Sequence, residues 1–377
     1  MSVAAPTLVH VPFLDLHAQY DSIREEVQEA VNAVLESGHF VGGEWVEKFE
    51  NDLAEYVGAR YAVGVGSGTA ALELAFKAAG IGPGDEVIVP ANSFFATAEA
   101  VTNVGARVVF ADVNPLTFHL DAASVASRLT PKTRAIVPVH LYGRAVNLAG
   151  IERLAEANHL MIIEDACQGI GAGRDGVMVG GSGRLTCFSF YPGKNLGAYG
   201  DGGAVTSNDP RAVETIRMLR DHGSPAKYHH VAVGTNSRLD AIQAAILSVK
   251  LRHLDEWNAR RFEHGTALIH ALGGPGIRPP ALPQEGEHNF HLFVVRARRR
   301  DALKDFLHER GIDTGIHYPV PLHLTPAYQA LGYAGQGSLP IAEALAGEIL
   351  SLPMYAELTE EQIGGIIHAI REYLNQA

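Results

Sequence analysis

Between Tyr61 and about Thr206, seven short apolar runs rich in β-formers alternate with stretches of helical patterning. That alternation admits few folds, because strands joined by helices run mostly parallel in one α/β sheet. The runs fall at 61–66, 86–90, 107–110, 134–140, 160–164, 185–190 and 203–207, with helix candidates at 70–79, 97–104, 124–129 and 148–158. Apolar residues at helical spacing (Ile242, Ala245, Ile246, Val249) predict one long helix over 239–261 leaving this unit. Gly273-Gly274-Pro275-Gly276 and Pro279-Pro280 then mark a junction. Beyond it, a strand at 290–295 and helices near 302–309, 342–349 and 360–374 read as a smaller α+β unit. The expected division is 1–250, an N-terminal segment and large domain, and 251–377, a linking helix and small C-terminal domain. A chain of 377 residues with 47% hydrophobic content can bury both cores.

Charge and cysteine usage narrow the function. The formal charge is -12, from 42 acids against 30 bases, and the longest basic run is Arg296-Ala297-Arg298-Arg299-Arg300, which argues against nucleic acid as a partner. No apolar stretch reaches the roughly 18 residues of a membrane span. Met1 to His10 lacks the basic start and apolar middle of a leader, so the expected location is cytoplasmic. Cys167 and Cys187 are too few and too far apart for a disulfide framework or a zinc cluster, and read as small buried apolar side chains.

In an open α/β sheet, ligands sit beyond the carboxyl ends of the strands. Lys194 lies there, in Ser189-Phe190-Tyr191-Pro192-Gly193-Lys194-Asn195-Leu196-Gly197, where glycines leave room for a bulky ligand. Desolvation lowers a lysine pKa, which is what attack on an aldehyde requires. Asp165 ends another apolar run, in Glu164-Asp165-Ala166-Cys167-Gln168. A strand-end aspartate also serves as a helix cap, but a carboxylate here can favour a protonated pyridinium, and with a Schiff-base lysine it points to pyridoxal phosphate. Gly66-Ser67-Gly68-Thr69-Ala70-Ala71 offers backbone N–H groups at a helix start for a phosphate. The same letters fit the dinucleotide pattern G-x-G-x-x-A, but the next strand ends Val89-Pro90-Ala91-Asn92, without the acid that reading needs.

Together with Gly234-Thr235-Asn236-Ser237-Arg238-Leu239-Asp240, these motifs resemble the DegT/StrS nucleotide-sugar aminotransferases, over 12–355. The resemblance implies the aspartate-aminotransferase-type fold (fold type I): a large domain with a mostly parallel seven-stranded sheet, a small C-terminal domain, and a homodimer with shared active sites. It implies that Lys194 holds pyridoxal phosphate covalently, Asp165 meets the ring nitrogen, Gln168 the phenolic oxygen, and Phe94 the ring face. Gly68, Thr69 and Ser189 hold the phosphate, and Asn236 reaches it from the neighbouring subunit. Cys167 departs from the alanine frequent in relatives, at little cost in size. Lys227-Tyr228-His229-His230 and His317-Tyr318 resemble the branch acting on dTDP-3-keto-6-deoxyhexoses, with the first four as pyrophosphate partners and His317 and Tyr318 near the sugar. Glutamate would give its amino group, leaving as 2-oxoglutarate with the cofactor as pyridoxamine phosphate, and Lys194 would move the proton. The alternatives are amination at carbon 4 and a non-catalytic binding protein. His317 and His323, lacking a third ligand, predict no metal site.

Overall fold

Valine- and isoleucine-rich runs can form parallel strands when helices cover both sheet faces. The computed structural model, which describes residues 10–376, has that arrangement. Of the segment considered as a leader, only His10 lies among the described residues. Three helices, α1 (Leu16–Ser22), α2 (Arg24–Ser37) and α3 (Glu44–Val57), precede β1 (Tyr61–Val65). Then come α4 (Gly68–Ala78), β2 (Glu86–Pro90), α5 (Phe95–Asn103), β3 (Arg107–Ala111), α6 (Ala122–Ser127), β4 (Thr133–Ile136), α7 (Ala149–Ala157) and β5 (Met161–Asp165). A small hairpin, β6 (Gly173–Arg174) and β7 (Val177–Met178), separates these from β8 (Leu185–Ser189) and β9 (Gly203–Ser207).

The seven-stranded sheet has the order β1-β9-β8-β5-β4-β2-β3. β9 is antiparallel to both of its neighbours and the remaining pairs are parallel, so every strand but β9 runs the same way. Val63, Val87 and Val89 pack with Leu72 and Phe76 of α4 in one apolar cluster, and Ile88 and Ile136 pack with Ile151 of α7 in another. The loops after β1, β2, β5 and β8 therefore open at one end of the sheet.

After α8 (Pro210–Arg220), α9 (Ala241–Leu251) and α10 (Leu254–Ala271), a three-stranded antiparallel sheet pairs β10 (Ile277–Arg278), β11 (Phe293–Ala297) and β12 (Ile349–Leu352). With α11 (Arg300–His308), α12 (Pro326–Ala330), α13 (Pro340–Glu348) and α14 (Glu360–Gln376) it completes the chain. Phe293, Val295, Leu303, Leu350 and Ile366 form a core of their own there.

Three expectations are corrected. The single helix over 239–261 is two helices: the peptide N–H groups of Arg252 and His253 bond three residues back, to Val249 and Lys250, and the chain restarts at Leu254 with Asp255 and Glu256 in the first turn. The run at 134–140 leaves the regular strand at Ile136, ahead of Pro138, which has no N–H to donate, although the Pro138 carbonyl still accepts from Asp165 N at 3.0 Å. The strand expected from residue 290 begins at Phe293, because Phe290 sits at a left-handed φ of 44°. Helix α8 was not anticipated, although Asp209 caps it through Arg211 N at 2.9 Å and Pro210 occupies its first turn.

Candidate active site

A cavity of about 700 Å3 opens over the carboxyl ends of β1, β5 and β8. One wall is the start of α4. Ser67 ends the loop from β1, and its Oγ accepts from Ala70 N at 3.1 Å, which fixes the first turn. The N–H groups of Gly68 and Thr69 open the helix with no earlier carbonyl to bond, and they border the cavity together with Ser189. Space explains the glycine: a Cβ on Gly68 would lie 2.6 Å from Ser189 Cβ and 2.9 Å from Cys167 Sγ. A bare helix N-terminus flanked by hydroxyls suits a phosphate dianion. Gly68→Ala is expected to push α4 away from β8 and weaken retention of pyridoxal phosphate about tenfold, at the overpacking cost of ~1–3 kcal/mol; titrating the apo-protein with the cofactor would check this.

Opposite stands Asp165, 4% exposed. Its Oδ2 accepts from Thr97 Oγ1 at 2.7 Å, and that hydroxyl lies 2.7 Å from Ser93 Oγ; its Oδ1 accepts from Cys167 N at 3.1 Å. Among the described residues no cation lies within ion-pair distance of it. A buried carboxylate in that condition is stabilised by a cationic ligand, which a pyridinium supplies. The residues therefore fit pyridoxal phosphate at both ends, with N–H donors of α4 for the phosphate and the Asp165 carboxylate as acceptor for the ring nitrogen.

Lys194 follows β8 on a turn whose N–H bonds Tyr191 O at 2.8 Å. A Cβ on Gly197 would lie 2.3 Å from Pro192 O, so only glycine permits the turn. Asn195 anchors it: its Nδ2 donates to Asn258 Oδ1 at 2.8 Å and Asn289 O at 3.1 Å, and its Oδ1 lies 3.2 Å from His291 Nδ1. The Lys194 amine lines the cavity and makes no hydrogen bond among the described residues. Burial lowers its pKa, against the opposing pull of Cys167 and Asp165, so a larger share of the amine is neutral and nucleophilic.

Gln168 sits after β5, its Oε1 accepting from Tyr142 N at 2.6 Å and its Nε2 donating to Tyr318 Oη at 3.3 Å, which leaves one amide hydrogen for a ligand. Phe94, 55% exposed, stands at the start of α5 with its ring centroid 5.7 Å from that of Tyr318. His317 stacks on Phe13 at 5.6 Å and its Nδ1 lies 2.8 Å from Ser351 Oγ. Burial, then the charge of Lys194, lowers the His317 pKa to about 4, so its imidazole is neutral at neutral pH. His323 is elsewhere, its Nε2 3.1 Å from Glu343 Oε1.

The cavity thus gathers Gly68, Thr69, Phe94, Asp165, Gln168, Ser189, Lys194, His317 and Tyr318. It does not gather Lys227, Tyr228, His229, His230 or Asn236, which are exposed on a loop closed by an antiparallel bridge between Asp221 and Asn236. Cys187 is buried as expected, but Cys167 is half-buried on the cavity wall, where burial and the Asp165 charge push its thiol pKa well up. Phe13, Ser93, Tyr191, Asp201, Arg261 and His291 also border the cavity and were not singled out. Asp201 carried a signal, standing among Gly200, Gly202 and Gly203; Arg261, inside a helical pattern, carried none.

The model of the DegT/DnrJ/EryC1/StrS aminotransferase family matches residues 21–371. The dTDP-3-amino-3,4,6-trideoxy-α-D-glucose transaminase of Streptomyces venezuelae is 47% identical over 366 residues, covering 96% of each chain. The dTDP-3-amino-3,6-dideoxy-α-D-galactopyranose transaminase of Aneurinibacillus thermoaerophilus is 42% identical, over 96% of this chain and 99% of that one. The crystal structure of S. venezuelae DesV in complex with a ketimine intermediate superposes with a TM-score of 0.95 at 46% identity, over 97% of this chain and 98% of that one. The chain belongs to the DegT/DnrJ/EryC1/StrS aminotransferase family and is a pyridoxal phosphate-dependent transaminase of fold type I.

Proposed function

We propose that this transaminase moves the amino group of glutamate to carbon 3 of a dTDP-3-keto-6-deoxyhexose, giving a dTDP-3-amino-3,6-dideoxyhexose. The observation that carries the chemistry is the pairing on one cavity of a buried Asp165, without an ion-pair partner among the described residues, with a desolvated Lys194. The 3-amino products named for the two transaminases above support the position of the carbonyl. When bound, pyridoxal phosphate supplies the carbonyl that exchanges amino groups and the electron-accepting ring.

The chain's own residues do the rest. The first turn of α4 and Ser189 would hold the phosphate, Asp165 would keep the ring nitrogen protonated, Gln168 would donate to the phenolic oxygen and Phe94 would cover the ring. Lys194 Nζ would carry the proton to and from the substrate carbon. Neutral His317 and the Tyr318 phenol, kept protonated by burial, offer the sugar hydrogen-bonding partners without charge.

We read the exposed 227–230 segment and Asn236 as serving a second copy of the chain, in a homodimer, where they meet the nucleotide's pyrophosphate and the cofactor phosphate. A boundary at 250/251 would place α10 with the small C-terminal sheet. Among the described residues no helix is long and apolar enough to cross a membrane; the cytoplasmic location is part of this reading.

The test is to incubate the enzyme with glutamate and, separately, 3-keto and 4-keto dTDP-6-deoxyhexoses, then locate the new amine by NMR. Amination of the 3-keto sugar is the expected result. Amination at carbon 4 alone would overturn it.

A further inference from the structure

We infer that Arg261 is the binding site for a carboxylate of the amino donor. It lies on the buried face of α10, in step with Asn258 and Leu268, and is 3% exposed. It nevertheless borders the same cavity as Lys194. Its Nη1 donates to Phe290 O at 3.2 Å and Met354 O at 2.8 Å, which holds the guanidinium plane still. Its Nε and Nη2 make no hydrogen bond among the described residues, although a guanidinium carries five N–H donors in a fixed fork.

Among the described residues no carboxylate lies within ion-pair distance of it. Glu357 faces it without coming within ion-pair distance, and the Glu357 carboxyl is itself held toward the neutral form by burial. A buried, unpaired cation is costly unless a ligand anion completes it. Arg261 is carried by α10, whereas the phosphate cradle is built by Gly68 and Thr69 of α4 with Ser189 of β8, so we assign the guanidinium a different anion. Arg261, His291 and Lys194 line one cavity, so the guanidinium and the reacting amine open onto the same space. An amino acid carries its carboxylate one bond from the carbon that reacts there. A 3-keto sugar carries no charge so close, because its pyrophosphate hangs from carbon 1. The fork of an arginine is the natural partner of a planar carboxylate.

The assignment rests on glutamate being the donor, and the test separates the two claims. Holoenzyme in wild-type, Arg261→Lys and Arg261→Gln forms is mixed with glutamate, and single-turnover spectral change is followed against concentration. In parallel, the amino-form enzyme is mixed with the 3-keto nucleotide sugar. Binding of glutarate, a dicarboxylate with no amine to give, is measured by calorimetry.

Arg261→Gln is expected to raise the half-saturating glutamate concentration and the glutarate Kd by about 10- to 100-fold, the loss of a charge-assisted pair. Arg261→Lys is expected to recover part of both. The sugar half-reaction should stay within about twofold, and cofactor content should be unchanged. Equal glutamate and glutarate binding in wild type and variants would sink the assignment, as would a loss confined to the sugar half-reaction. Should Arg261→Gln fail to fold, Arg261→Lys decides, since its ammonium can keep the tethers to Phe290 and Met354. A wild-type enzyme that does not respond to glutamate at all would instead remove glutamate as the donor.

Discussion

Lys194→Ala is expected to lower turnover by at least about 10⁴-fold, the upper part of what a positioned acid/base group contributes, with the covalent role added. The cofactor should still bind through α4 and Ser189, because none of those contacts involves the lysine. Turnover and retained cofactor after dialysis are the two readings. A Lys194→Ala enzyme that still cycles would refute the assignment.

Loss of fold is the competing explanation, and the electrostatics separate it. The folded pKa of Lys194 is lowered by burial, so between that value and the unfolded ~10.4 the unfolded chain holds more protons. Stability then rises with pH through that window. Below the folded pKa the penalty of the buried ammonium is fully present, and it fades as pH approaches the unfolded value. The apo Lys194→Ala chain should therefore melt no lower than the apo wild type at neutral pH, with any advantage shrinking toward pH 10. A large fall in Tm would mean that the amine supports the fold and that lost activity says nothing about chemistry.

How much of this site could be read from residues alone depended on how far each side chain's surroundings lie along the chain. Asp165 and Lys194 were legible because apolar runs end beside them, and in a parallel sheet a strand end is also an address. The cradle was legible because Gly68 and Thr69 combine a helix start with a space requirement. Arg261 was not, since its burial comes from the 290 and 354 segments meeting α10, 29 and 93 residues away. The same holds for Thr97, an ordinary helical threonine until β5 brings Asp165 to it, 68 residues on. Local spacing likewise overran the turn at Arg252 and His253. The apolar positions at 242, 245, 246 and 249 belong to α9 alone, which is buried along most of its length, whereas α10 turns toward the small sheet. Lys227 to His230 stood out by composition, yet no sequence reading could place them at this chain's own cavity, and the structure leaves them outside it.

Asp165→Asn is expected to cut turnover by about 10²–10³-fold, the scale for removing a preorganised electrostatic partner from a water-excluded site. The change is nearly isosteric and the surroundings can absorb it. The asparagine Oδ1 can keep accepting from Cys167 N. Its Nδ2 then faces Thr97 Oγ1, so the Thr97 hydroxyl must reverse, accepting from the amide and donating to Ser93 Oγ, a hydroxyl that can accept as well as donate. Folding and cofactor content should accordingly survive. What disappears is the charge that holds a proton on the ring nitrogen, and with it the pull on the electrons released when the substrate carbon loses its proton. Because Lys194 remains, the visible absorbance of the resting enzyme should persist while both half-reactions slow, a combination that Lys194→Ala cannot produce. Thr97→Val should fall between Asp165→Asn and wild type, since it removes one donor at 2.7 Å and leaves the charge in place. Near-normal turnover in Asp165→Asn would strip the carboxylate of its role, and a slow enzyme with normal absorbance would confirm that the charge, not the shape, is what Asp165 contributes.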